Sequence, residues 1–119
     1  MDRRRAVECF ATEWIYYLEQ HGHEVTQAAA RADVLRSCNG RGTKYRWLLR
    51  SAENDSLLLA AGDRKDIRRQ LRLARRGGEQ CFLVVKFEDP GGTALVLPAT
   101  EALQIRRLRS DTGGIPWDC

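Results

Sequence analysis

The side chains of this chain best suited to holding a zinc ion are four cysteines and two histidines. The cysteines are widely separated and include no Cys-x-x-Cys pair: Cys9, Cys38, Cys81 and Cys119. His21 and His23 stand between a predicted helix and a predicted strand, and no third ligand recurs beside them at a useful spacing. The sequence therefore predicts free thiols and no zinc site.

The basic residues offer a second kind of chemistry, the binding of phosphate. The net charge is +4 and the isoelectric point is about 9.1, and the basic residues cluster at positions 3–5, 41–50, 64–76 and 106–109. Arginine outnumbers lysine, and its planar guanidinium suits bidentate contacts with phosphate. The clusters indicate nucleic-acid binding. For the cluster at 64–76, the alternative is a solvent-exposed helix whose charge Asp63 and Asp66 partly compensate.

An amphipathic helix is predicted at the start of the chain, from a cap at Asp2 to Gly22. Its apolar residues recur at i, i+3 and i+4, as Val7, Phe10, Ala11, Trp14, Ile15 and Leu18. Strand candidates follow at residues 23–28 and 32–38. The turn-forming segment 39–43 then leads into a third strand at residues 44–52, so we expect a three-stranded meander.

The second half of the chain predicts a helix and two strands. The helix covers residues 63–76, with Ile67, Leu71 and Ala74 facing inward. The strands cover residues 81–87 and 93–97, with a turn at residues 89–92. Residues 57–61 fit either a brief strand or a buried loop, and a helical turn is predicted near Ala99. The order α-β-β-β-α-β-β predicts an α/β fold, a mixed sheet flanked by helices, with parallel pairing across the 44–87 passage.

The size and composition of the chain predict one compact domain. The 119 residues are 43% hydrophobic and 30% charged, which is typical of a folded protein. We place the domain at residues 1–105 and a tail at residues 106–119. No apolar run approaches the roughly 20 residues of a membrane helix, so we expect a cytoplasmic protein with no membrane partner.

Five stretches carry a resemblance to a known family: LEQHGHEV (18–25), ADVL (32–35), NGRGTKY (39–45), AGDRKDI (61–67) and RRGGEQCFLVVKF (75–87). In their order and separations they resemble the archaeal Holliday junction resolvases of the restriction-endonuclease-like, PD-(D/E)xK group. The resemblance runs from about residue 3 to residue 99. It implies the restriction-endonuclease-like fold and a homodimer that binds a four-way DNA junction and nicks two strands with Mg²⁺.

The resemblance also implies an acid on the first helix and an Asp before a catalytic Glu-x-Lys strand. Asp33 keeps its expected type. The helix acid falls near Ala11, and the nearest carboxylates, Glu8 and Glu13, lie at −3 and +2 from it. These two project in different directions around the helix axis.

The segment TKYRWLLRS, residues 43–51, falls on the catalytic strand. The Glu position coincides with Leu48 or Leu49, and the Lys position with Arg50 or Ser51. Leucine offers no oxygen to Mg²⁺, and arginine rarely gives up a proton, so it is a poor general acid or base. We therefore interpret the chain as a catalytically degenerate member in which Asp33 and Arg50 are vestigial. Asp33 alone is a poor metal site, and we expect no cofactor, with Mg²⁺ required only if cleavage persists.

Two alternatives remain open. The chain is an active, Mg²⁺-dependent, structure-selective endonuclease if other carboxylates complete the site from new positions, namely Glu53, Asp55, Asp63 or Asp66. It is a protein-protein assembly subunit if a sheet edge or the apolar residues 57–59 contact a partner and the arginines are merely solvated.

The leading prediction is a DNA-binding protein of DNA recombination or repair, acting as a homodimer or as the partner of an active relative. Trp47, Leu49 and residues 57–59 are candidates for apolar dimer contacts, whereas Trp14 and Trp47 fit core or dimer packing better than base stacking. The residues predicted to bind DNA are Arg3, Arg4, Arg5, Arg31, Lys44, Arg46, Arg64, Lys65, Arg68 and Arg72.

Overall fold

The computed structural model describes residues 3–27, 31–88, 94–109 and 115–116. The chain begins with helix α1 (Arg3–Gln20), as predicted. Gly22 follows it in the left-handed conformation (φ 82°), and the carbonyl of Leu18 accepts hydrogen bonds from the backbone N–H groups of His21 and His23. This is the predicted glycine termination. The predicted cap at Asp2, the turn at 89–92 and Cys119 lie outside the described residues.

A six-stranded mixed sheet forms the centre of the molecule. The elements after α1 are β1 (Glu24–Gln27), β2 (Val34–Cys38), β3 (Lys44–Ala52), β4 (Ser56–Leu58), α2 (Ala61–Gly77), β5 (Glu79–Phe87), β6 (Ala94–Pro98), α3 (Ala99–Ala102), β7 (Arg107–Arg109) and β8 (Ile115–Pro116). The spatial order of the sheet is β1-β2-β3-β5-β6-β8. Strands β3 and β5 are parallel, and the other neighbours are antiparallel. The α/β class and the parallel pairing are confirmed.

Alternating side chains give the sheet two buried faces. The first face packs against α1 through Leu35, Trp47, Leu49, Val84 and Val96. The second packs against Ile67 of α2 through Val34, Leu48, Leu83, Val85, Leu95 and Leu97. Side chains two residues apart on a strand share a face, so Leu48 and Arg50 lie on the α2 side of β3 and Ser51 on the α1 side.

The turn between β2 and β3 is organised by Asn39, as the turn-forming composition predicts. Its side-chain oxygen accepts hydrogen bonds from the backbone N–H groups of Arg41 and Thr43, at 3.0 and 2.9 Å. Gly42 has a φ of 83°, which favours glycine. The turn fixes the register in which β2 and β3 deliver their side chains to the α2 face.

The surface proposed for dimer or partner contacts is largely interior, and this corrects the prediction. Leu49 is fully buried and Trp47 is 8% exposed, because both pack beneath α1. Of the 57–59 patch, Leu57 and Leu59 belong to the core and Leu58 alone is exposed, at 47%. Trp14 and Trp47 contact each other with ring centroids 5.5 Å apart, so their role in core packing is confirmed.

Part of the segment predicted as a tail pairs with strands of the domain. Strand β7 pairs antiparallel with β4 in a separate two-stranded sheet, and Leu108 at its centre is fully buried. This pairing makes residues 56–58 a strand, which resolves the ambiguity of residues 57–61. Strand β8 pairs with β6. The predicted element order therefore lacked four short elements, β4, α3 as a defined helix, β7 and β8.

Two other features bear on function. Cys9, Cys38 and Cys81 are free, as predicted, and burial raises the pKa of the Cys81 thiol to about 12, so that thiol is unreactive. None of the helices in the described residues is long and apolar enough to cross a membrane.

Candidate functional site

Asp33 lies immediately before β2, beside the end of β3. Its backbone carbonyl accepts a hydrogen bond from the backbone N–H of Leu49, at 2.8 Å. Arg50 reaches the Asp33 carboxylate from β3, with Nη1 3.3 Å from Oδ2. Ser51 points to the opposite face of the sheet. The geometry thus favours the alignment in which Leu48 takes the Glu position and Arg50 the Lys position.

A second arginine, Arg31, bridges Asp33 to helix α2. Its Nε and Nη2 donate to Oδ1 and Oδ2 of Asp33 at 2.9 and 2.7 Å. Its Nη1 and Nη2 donate to Oδ1 and Oδ2 of Asp66 at 2.9 Å each. One guanidinium therefore makes bidentate contacts with two carboxylates, which is the strongest geometry for such pairs.

Arg50 completes the arrangement from the side of the sheet. Its Nη2 lies 3.0 Å from Oδ2 of Asp66, its Nε lies 3.7 Å from Oδ1 of Asp63, and its Nη1 also donates to the carbonyl of Leu49 at 2.9 Å. We call the five residues Arg31, Asp33, Arg50, Asp63 and Asp66 the Arg–Asp cluster. It joins the loop before β2, the end of β3 and the first turns of α2.

The electrostatics of the cluster favour the ionised carboxylates of Asp33 and Asp66. Hydrogen bonds from Arg31 hold the pKa of Asp66 at about 2, against the opposing effect of burial and with help from Arg50. Burial works against ionisation of Asp33, but the hydrogen bonds and charge of Arg31 and the charge of Arg50 still lower its pKa. The same contacts raise the pKa of Arg31. The charges of Arg31, Asp33 and Asp66 thus stabilise one another.

The Arg–Asp cluster does not fit Mg²⁺ as it stands. Each of the four carboxylate oxygens of Asp33 and Asp66 accepts a hydrogen bond from a guanidinium. A dication needs several of these oxygens and would have to displace one guanidinium and lie beside another. Within the described part of the chain, no group of three or more His, Cys, Asp or Glu side chains is arranged to hold a metal ion.

Other candidate acids lie elsewhere. Ala11, where the resemblance places the helix acid, lies in α1 and is buried against the sheet. Glu13 pairs with Lys86 of β5 at 2.8 Å on the face of the sheet opposite the cluster. Glu53 and Asp55 are exposed in the turn after β3. Asp63 and Asp66 share Arg50 with Asp33, so these two acids of the rearranged-site alternative belong to the cluster, where both bind arginine.

The predicted DNA-binding residues occupy different environments. Arg31 belongs to the Arg–Asp cluster, and Arg64 donates to the backbone carbonyl of Leu103. The exposed members are Lys44 on β3 and Lys65, Arg68 and Arg72 on α2. Arg3, Arg4 and Arg5 form the first turn of α1, and their side chains lie outside the described structure.

Arg46, also predicted to bind DNA, faces the protein interior. Its Nε donates to Glu79 at 2.9 Å and its Nη1 to Oε1 of Gln70 at 2.9 Å. Glu79, whose side chain is 2% exposed, also accepts a bond from Arg36 at 2.6 Å. This network ties α2 to β2, β3 and β5. Because Arg46 is buried, its side chain is not exposed for contact with DNA.

The mixed sheet and its flanking helices have a restriction-endonuclease-like fold. Among solved structures, the chain is similar to Hjc, a Holliday junction resolvase from the archaeal hyperthermophile Archaeoglobus fulgidus, with a TM-score of 0.54 and 17% sequence identity. The similarity covers 77% of this chain and 71% of that chain. Comparisons with protein-family models and with curated proteins find no match. The likeness therefore concerns the fold.

Proposed function

We propose that this protein binds DNA through a resolvase-like nuclease fold and does not use its Asp33 site for metal-dependent cleavage. The observation that carries the proposal is the pair of guanidinium groups on the carboxylates of Asp33 and Asp66. Where a nuclease of this fold would require oxygens free for a dication, the chain supplies two fixed cations. The expected partners are DNA, with branched DNA as one candidate, and a second copy of the chain or an active relative.

The residues of β3 support the same proposal. Leu48 is fully buried in the core and provides no ligand atom. Arginine can neutralise a phosphate but is a poor general acid or base, so Arg50 does not replace a catalytic lysine. The remaining role for this site is the stabilisation of the fold around Asp33.

A second candidate function is cleavage by a rearranged site, because Asp33, Asp63 and Asp66 all contact Arg50. In the described residues these three side chains are not arranged to hold a metal ion, so a Mg²⁺ ion that also binds substrate phosphates would need them to converge. This alternative requires both Arg31 and Arg50 to leave their carboxylates when DNA binds.

A labelled four-way junction and a linear duplex with the same arms test the proposal. We expect a mobility shift at about 50 mM NaCl that weakens steeply with added salt, and no nicked product with either Mg²⁺ or Mn²⁺. Nicking that depends on the metal and is abolished by Asp33→Ala would establish the second candidate instead. If neither substrate shifts, the DNA-binding half of the proposal is wrong.

A further inference from the structure

Six basic side chains form a single exposed face on α2. We call this the α2 basic face, and its members are Lys65, Arg68, Arg69, Arg72, Arg75 and Arg76, all of them exposed. They recur at spacings of three and four residues, which brings them to the same side of a helix. Ile67, Gln70 and Ala74 are buried on the opposite side, so packing against the sheet fixes the basic face outward.

The acids of α2 do not neutralise this face. Asp63 and Asp66 turn towards the Arg–Asp cluster, where Asp66 binds both Arg31 and Arg50. Among the residues that the structure describes, no carboxylate forms an ion pair with any member of the α2 basic face. The interpretation of a solvated surface relied on Asp63 and Asp66 as compensating charges, and their contacts remove that support.

Like charges at these spacings destabilise a helix on its own, and a polyanion removes the repulsion. From residue 65 to residue 76 the face extends over about 16 Å at a rise of 1.5 Å per residue. Duplex DNA carries one negative charge per about 1.7 Å of its axis, so a face of this length meets several phosphates at once.

The chemistry of the face favours nucleic acid over a protein partner. The cores of protein interfaces are depleted of charge and built around apolar or aromatic anchors. The exposed large apolar side chain that α2 offers is Leu73, at 36% exposure. Arginine presents a planar fork that matches phosphate.

We propose that the α2 basic face binds the phosphodiester backbone of duplex DNA, an inference that rests on the DNA-binding function proposed above. Arg64 takes no part, since it is held by the carbonyl of Leu103. Arg69, Arg75 and Arg76 join the contact surface. Phosphate contacts carry no direct sequence information, so binding through this face is independent of base sequence.

The test is a binding titration of the full chain with two duplexes of unrelated sequence, repeated over a series of NaCl concentrations. The test variant is Arg68→Gln/Arg72→Gln/Arg75→Gln. The control, Arg41→Gln/Arg106→Gln/Arg107→Gln, removes the same charge from exposed side chains elsewhere. A third variant, Arg68→Lys/Arg72→Lys/Arg75→Lys, keeps the charge and removes the guanidinium fork. Circular dichroism checks that all of them fold.

We expect the glutamine variant to lose on the order of 10- to 100-fold in affinity for both duplexes at about 100 mM NaCl, and its log–log salt slope to become shallower by about 3. The control should stay within about 3-fold of the wild type. The lysine variant keeps the charge and loses the guanidinium fork, so its salt slope should match that of the wild type and its affinity should fall between those of the wild type and the glutamine variant. Equal affinity of the glutamine variant and the wild type would overturn the inference while leaving the DNA-binding function standing.

Two further outcomes separate the remaining possibilities. If the wild type binds poly-glutamate more tightly than duplex and the glutamine variant loses that binding, the face serves an acidic protein and the inference is wrong. If the wild type binds neither duplex, the proposed DNA-binding function itself fails, and the inference fails with it.

Discussion

At the scale of single residues, the central feature is the pair of guanidinium groups on Asp33, whose two carboxylate oxygens are bound by Arg31 and Arg50. In the proposed function these groups stand where a metal ion would otherwise bind. They supply positive charge from the protein itself. The cluster can therefore stabilise the fold without a metal ion.

The pH dependence of stability should report these contacts. The pKa of Asp66 in the folded protein is about 2, below its ordinary value of 3.8, and that of Asp33 is lowered as well. Their stabilisation is therefore complete above about pH 4 and is lost as the pH falls towards 2, with Asp66 contributing on the order of 2 kcal/mol. Denaturant unfolding between pH 6 and pH 2.5 measures it. Between pH 6 and pH 2.5, the Asp66→Asn variant should lose less stability than the wild type. If the variant and the wild type have the same dependence of stability on pH, the assignment is wrong.

Removal of Arg31 should destabilise the protein because it leaves two partly buried carboxylates with fewer partners. We expect Arg31→Ala to lower the free energy of unfolding by about 1–3 kcal/mol at neutral pH. Arg41→Ala is the matched control, since Arg41 is exposed in the β2–β3 turn and should change stability by no more than about 0.5 kcal/mol. Urea denaturation compares the two, and equal effects would show that the cluster contributes little.

At the scale of elements, α2 has two faces with different tasks. Its buried side holds the sheet through Ile67 and through the Gln70–Arg46–Glu79 network. Its acids are used at the Arg–Asp cluster, which leaves the exposed side uniformly basic. The α2 basic face, which we propose binds DNA, is thus exposed because the opposite side of α2 packs against the sheet.

The Arg46–Glu79 pair gives a prediction for the contact between α2 and the sheet. Glu79→Leu removes the carboxylate that balances Arg46, whose side chain is 11% exposed. An unpaired buried charge is costly, so we expect a loss of about 3 kcal/mol in the free energy of unfolding. Gln80→Leu, at the next position on β5 and exposed, should have little effect. The pair is structurally unimportant if the two variants unfold at the same urea concentration.

Strand β7 gives a second prediction, on the extent of the domain. Leu108 is fully buried between β4 and the core, so Leu108→Ala should cost about 2–5 kcal/mol. Gln104→Ala, at an exposed position nearby, is the control. A thermal melt measures both, and a negligible effect of Leu108→Ala would show that β7 adds little to the stability of the domain.

At the scale of the whole molecule, the long periodic elements could be predicted and the short ones could not. The apolar residues recurring on one face of α1 and the apolar run of β5 are strong patterns. Together with the glycine-rich turns they predict the α/β order of elements. Strands β7 and β8 have three and two residues, too few to show a period. Their pairing depends on the neighbours that the fold brings to them.

The candidate site shows a similar division. Asp33 and Arg50 could be found through the family resemblance, which implies an Asp at the first position and the catalytic lysine at Arg50 or Ser51. The bond between Arg31 and Asp66 joins residues 35 positions apart, and no local pattern relates them. The burial of Arg46 could be inferred from the sequence. Arg46 lies two residues before Leu48 on β3, so it faces the same side of the sheet as this core residue.

Binding of Mn²⁺ by the DNA-free protein tests the central claim most directly, since this ion takes the oxygen ligands that Mg²⁺ takes. In a calorimetric titration at neutral pH, we expect the wild type and Asp33→Asn to give the same weak signal, with no site tighter than about 1 mM, because guanidinium groups already occupy the carboxylates. A single micromolar site that is lost in Asp33→Asn would show that the arginines yield to a metal ion, and would contradict the account.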